Sequence, residues 1–264
     1  MRAVRGVLIA FVVVVLLGVG VALLVTHVFR DTTPQCSVAG AANSGGFTLA
    51  PEQAGNAATI AAVGIKLGMP DHAVTVALAT ALQESKLENL TSGDRDSAGL
   101  FQQRPSQGWG TYAQVTDPVY AATAFYDRLK SEPDWTNLSV TQAAQLVQHS
   151  GAPEAYAQWE NEARALASAL TGETTGTFTC KNLTIAAPAA NVLTTTAADE
   201  FGTSTVTGAQ NSARGWSISN WLVAHATLFG VDQVTYNGQT WTAKSGAWAT
   251  SGPADGRLSL HQAS

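Results

Sequence analysis

Glu84 is the carboxylate with the setting for acid–base chemistry. It ends the run Ala79-Thr-Ala-Leu-Gln-Glu84, which reads as the C-terminus of an apolar helix. Apolar surroundings disfavour the ionised form of a carboxylic acid, and the negative end of a helix dipole acts in the same direction. An acid that keeps its proton near neutral pH suits the protonation of a poor leaving group such as a glycosidic oxygen. Glu88, four residues on, reads as an ordinary surface glutamate. Asp94 is the candidate second carboxylate. Inverting glycosidases hold such a group ~6.5–9.5 Å from the acid to activate water. The alternative for Asp94 is a turn-forming residue that hydrogen-bonds local backbone, and Asp96 reads in that second way.

The segment ATALQESKLENL, followed after a loop by SAGLFQQRP, resembles the soluble lytic transglycosylase and goose-type lysozyme group of the lysozyme-like superfamily. In that group a Glu-Ser pair ending a helix precedes a Gly-Leu-Met-Gln hairpin. Gly93-Asp94-Arg95-Asp96-Ser97-Ala98-Gly99-Leu100-Phe101-Gln102 stands against the goose-type pattern, with Phe101 where Met is usual and a shorter interval after Glu84. The resemblance covers residues 48–170. It implies a murein glycosidase with Glu84 as general acid/base, Ser97 and Gln102 lining the cleft, and Tyr156 beside the catalytic glutamate. It also makes Asp94 the residue that bears on hydrolase against transglycosylase, since lytic transglycosylases use one glutamate and the sugar's own 6-hydroxyl. Tyr156 has a second reading as a core aromatic. Trp109 either stacks on a sugar face or caps a core.

Other chemistries have little support. A formal net charge of −5 and the lack of any Lys/Arg run exclude a basic stripe for nucleic acid. No Gly-x-Ser-x-Gly elbow is present. Neither cysteine has a Cys or His neighbour at ligand spacing, so no metal and no cofactor is expected.

The elements that must position these residues follow from periodicity and caps. Val7 to Val25 is uninterrupted and apolar, near the ~20 residues that cross a bilayer. With Arg2 and Arg5 before it, it is read as a single-pass anchor over residues 7–26, cytoplasmic at its N-terminus, with the bulk of the chain outside the cell membrane. The alternative is a cleaved secretory signal. Outside the cell Cys36 and Cys180 are a plausible disulfide, stabilising by about 4–5 kcal/mol on a chain-entropy account; two isolated thiols are the other possibility. Residues 31–47 read as a flexible stalk. Helices are expected from Pro51 to Leu67, from Pro70-Asp71 through Ser85, from Asp117-Pro118 to Leu129, after Ser139, and from Glu154 to about Leu170. Residues 87–109 read as loop and short hairpin.

Residues 171–212 read as a second linker. In 213–264, Trp216 to Phe229 suits a helix, VTYNG-QTWTA is a strand, Asn-Gly turn, strand signature, and Arg257 to His261 suits a further strand. Trp216, Trp221, Trp241 and Trp248 either form a binding surface or fill a core. The expected fold is therefore mainly α: a transmembrane helix (1–30), a stalk, a lysozyme-like helical domain with a short β-hairpin (48–170), and a small α/β accessory module. The expected function is cleavage of peptidoglycan glycan strands, with envelope, secretion or conjugation proteins as possible partners. The alternative is a catalytically silent peptidoglycan-binding or scaffold protein.

Overall fold

The computed structural model describes residues 32–40 and 45–264. The anchor expected over residues 7–26 lies outside them; among the described residues no helix is long and apolar enough to cross a membrane.

Helix α1 (Pro51–Lys66) starts with Pro at its first turn, and the Gln53 side chain accepts from the Ala50 main-chain N–H at 2.8 Å. Helix α2 (Asp71–Ser85) is buried almost all round from Ala73 to Leu82. A single-turn helix α3 (Tyr112–Val115) and the longer α4 (Pro118–Ser131) follow, the latter capped by Asp117, which accepts from Val119 and Tyr120. Then come α5 (Val140–Gln148), capped by Ser139, and α6 (Glu160–Leu170), preceded by a 3-10 segment at Pro153–Trp159. Helices α1, α2 and α6 pack on one another, with α4 and α5 against α2.

The expectation of a mainly α chain does not hold. Among the described residues eight strands form two sheets. The first sheet, in order β2-β1-β3, joins β1 (Gln35–Ala39), from residues read as stalk, and β2 (Gly46–Leu49), which crosses the boundary read at residue 47, to β3 (Phe178–Lys181), from residues read as linker. The cause is period-2 alternation in two very short segments: Cys36 and Val38 on one strand, Phe178 and Cys180 on the other, are all buried. Cys36 lies directly opposite Cys180, and the two form a disulfide.

Beyond β3 the chain continues through α7 (Val192–Phe201), β4 (Gly208–Ala209), α8 (Ser212–Ala224) and α9 (Ala226–Phe229). It then adds β5 (Val231–Tyr236), β6 (Gln239–Thr242), β7 (Ala247–Thr250) and β8 (Arg257–Gln262), giving an antiparallel sheet of order β4-β8-β5-β6-β7. Asn237 and Gly238, both at positive φ, make the β5–β6 turn.

Residues 35–264 are one compact unit, with α8 packed on both α1 and α6. Trp216, Trp221 and Trp241 are buried in its core, so they present no binding surface. The indole N–H groups of Trp241 and Trp248 donate to the carbonyls of Cys180 and Phe178, and Thr179 donates to Gly246, stitching the two sheets together. A buried polar node adds to this. Glu200 on α7 accepts from Thr59 of α1 at 2.8 Å and from the Trp221 indole of α8 at 2.6 Å, with His225 Nε2 4.0 Å away. Each buried polar atom there has a partner, which removes most of the cost of burying a carboxylate.

Candidate functional site

The site begins where α2 ends. Lys86 and Leu87 both take the left-handed conformation, and their N–H groups return to the carbonyls of Leu82 and Ala81, closing the helix. Neither residue is glycine, so the turn carries strain and needs outside support. Support comes from α1: Gln53 donates to the Lys86 carbonyl at 2.8 Å and Asn56 to the Leu87 carbonyl at 2.7 Å, while the Leu87 side chain is buried. Glu84, half-buried, is thus held on the last turn of a helix that cannot shift without disturbing the core.

Ser85 attaches the hairpin. Its hydroxyl is buried and lies 2.7 Å from the Leu100 carbonyl, fifteen residues on. The hairpin closes through the pairing of Ala98 with Gln103, while Leu100 and Phe101 are buried. Phe101 stacks on Phe125 at 4.7 Å between ring centroids. Gln148 donates to the Phe101 carbonyl, and Gln103 is buried and donates to the Ala121 carbonyl. Gly99 sits at φ 78° with its Cα against the Val115 carbonyl; a Cβ there would overlap that oxygen, so only glycine fits.

Of the residues expected to act, Glu84 and Tyr156 come together. Tyr156, in the 3-10 segment Pro153–Trp159, donates from its phenol to Glu84 Oε1 at 2.9 Å. It is also fully buried, as the core reading of this residue expects. Burial, followed by the charge of Glu84, pushes the phenol well above the ordinary tyrosine range, which keeps it a donor at every physiological pH.

Ser97 and Gln102 hold the hairpin from within. The Ser97 hydroxyl donates to the Asp94 carbonyl at 2.7 Å and lies 3.2 Å from Gln102 Oε1, and Gln102, at positive φ, donates to the Gly99 carbonyl. The Asp94 side chain is 90% exposed, with Arg95 3.9 Å away. Asp96 is a turn brace, accepting from the Ser106 main chain and hydroxyl and from Arg104. These bonds hold its carboxyl down at about 2, the Ser106 N–H contributing most. Trp109 is half-buried against the core, with the Arg128 guanidinium 5.4 Å from its ring centroid. Among the described residues, no three His, Cys, Asp or Glu side chains converge as metal ligands.

Sequence reasoning passed over Gln53, Asn56, Gln83 and Trp159, which tie the end of α2 to its neighbours. Their signal is tertiary: glutamine, asparagine and tryptophan have no diagnostic spacing, and their partners lie 31 to 76 residues away.

A family model described as VldE, C-terminal domain, matches residues 194–259. The match begins in α7, ends in β8, and does not include Glu84. No curated protein matches the chain.

Proposed function

We propose that this protein cleaves the glycan strands of peptidoglycan, with Glu84 as general acid and then general base. The observation that carries the reading is the convergence on one helix end of a half-buried glutamate, a buried tyrosine donating to it at 2.9 Å, and a hairpin tethered to the adjacent serine at 2.7 Å. The resemblance of residues 84–102 to lytic transglycosylases and goose-type lysozymes supplies the substrate class. A disulfide between Cys36 and Cys180 suits the oxidising compartment in which that substrate lies.

In the forward step Glu84 delivers its proton to the oxygen between N-acetylmuramic acid and N-acetylglucosamine as the C1–O bond breaks. The Tyr156 phenol, already donating to Oε1, stabilises the carboxylate left behind. A nucleophile must then reach C1. A water-activating carboxylate has to be held at a set distance from the acid, and the exposed side chain of Asp94 offers no such support. This favours the single-carboxylate route. Glu84 takes the proton of the muramyl 6-hydroxyl, that oxygen bonds to C1, and a 1,6-anhydro ring closes with no water consumed.

The test is to incubate the purified full chain with sacculi and weigh the soluble products by mass spectrometry. Products with 1,6-anhydro ends are expected. Reducing ends would mean a hydrolase and return Asp94 to the mechanism. Binding to sacculi with no soluble product under any condition would mean a silent wall-binding protein.

A further inference from the structure

Tyr156 reaches Glu84 from a segment that packs against α2, α5 and α6. Of the seven residues of the Pro153–Trp159 segment, Tyr156 alone is buried. With the rest of the segment partly or fully exposed, side-chain bonds add to that packing, and two of them converge on the residue before the glutamate. Gln83 Oε1 accepts from the Trp159 indole N–H at 2.8 Å and from Gln158 Nε2 at 3.1 Å. The Trp159 ring is held on its face as well, with Lys86 Nζ 4.1 Å from the centroid. Gln158 also donates to the Ala155 carbonyl within the segment, so the anchor stiffens the turn it grips. Adjacent residues of α2 thus receive three bonds from the same short segment: one at Glu84 and two at Gln83.

We propose that Gln83 is a positioning residue for the glycan-cleaving reaction: by receiving Trp159 and Gln158 it fixes the segment that presents Tyr156 to Glu84. The proposal rests on the reading under Proposed function. A glutamine suits the task because its amide oxygen accepts two donors without bringing a charge beside the acid. A glutamate, of the same length, would accept the same two donors. A leucine of similar size would leave the Trp159 indole N–H without its partner and Gln158 with its Ala155 bond alone.

The experiment compares the wild-type full chain with Gln83→Leu and Gln83→Glu. It follows hydrogen exchange of the Trp159 indole N–H by NMR, together with kcat and KM of glycan release. In Gln83→Leu the indole loses its exchange protection and kcat falls roughly tenfold with KM little changed, since an interaction tuned to the transition state is lost. In Gln83→Glu, which keeps an oxygen acceptor for both donors, protection and most of kcat are retained, a rescue that a merely space-filling role does not give. Wild-type kcat in a Gln83→Leu chain whose indole has lost protection overturns the role, and so does a Gln83→Glu chain that keeps protection yet loses kcat as Gln83→Leu does. A wild-type chain that releases nothing overturns the glycosidase reading itself, and this role with it, which separates the two failures.

Discussion

At the scale of single residues, Glu84 and Asp96 show how surroundings divide the work of carboxylates. Asp96 is ringed by donors from Ser106 and Arg104 and held from 3.8 down to about 2. A carboxyl depressed in the folded state adds stability above its unfolded value, and that contribution fades as pH falls through the folded one. The turn between Asp96 and Ser106 is therefore expected to stay closed above about pH 4 and to loosen as pH drops through about 2. The Ser106 amide proton shift, followed in an acid titration, checks this; a flat response across that range would contradict it. Glu84 has a different neighbourhood, with one phenol donor on Oε1 and the hydroxyl of the next residue engaged elsewhere, on Leu100. Gly99 and Phe101 show the same dependence on neighbours: the first is set by the Val115 carbonyl, the second by the Phe125 ring.

At the scale of elements, the end of α2 is the junction on which the hairpin and the Pro153–Trp159 segment both depend. Ser85→Ala leaves the buried Leu100 carbonyl without that partner, and a lost buried hydrogen bond of this kind costs about 1–3 kcal/mol. Glycan release is expected to fall with it, because the hairpin loses its tether to the helix that carries Glu84. Thermal unfolding and release from sacculi measure the two effects, and an unchanged pair of values would remove the tether from the account. This junction was partly legible in the sequence. The helices were readable because their signals are local: Pro51 and Pro118 in first turns, Asp117 and Ser139 as caps, apolar spacing along Val74–Leu82. The β5–β6 hairpin was readable from Asn237-Gly238. The first sheet was not, because β1 and β3 have five and four residues and a disulfide separation of 144; strands that short give too few alternations to stand out from a Gly- and Thr-rich background. The pairing of Tyr156 with Glu84 was legible through a resemblance, whereas Gln83 and Trp159 had no local signal.

At the scale of the whole molecule, the C-terminal strands and the N-terminal helices share a core. Residues 35–264 form one unit, β3 is bonded to the Trp241 and Trp248 indoles, and Glu200 bonds α7 to both α1 and α8. The Cys36–Cys180 disulfide closes the long loop that contains all of α1 to α6, Glu84 and Tyr156 included. Replacing both cysteines by serine is expected to lower stability by about 2–5 kcal/mol. The whole of residues 35–264 should then melt together at a lower temperature in calorimetry; an unaltered melting temperature would mean the bond holds nothing that the two sheets do not already hold. The central claim concerns a single proton donor supported by this entire unit, and the most direct measurement is release of soluble muropeptides from sacculi by Glu84→Gln beside the wild-type chain. This variant is expected to fold and bind sacculi as the wild type does while release falls by roughly 10²–10⁴-fold or more. Release at the wild-type rate from a folded Glu84→Gln chain would contradict it.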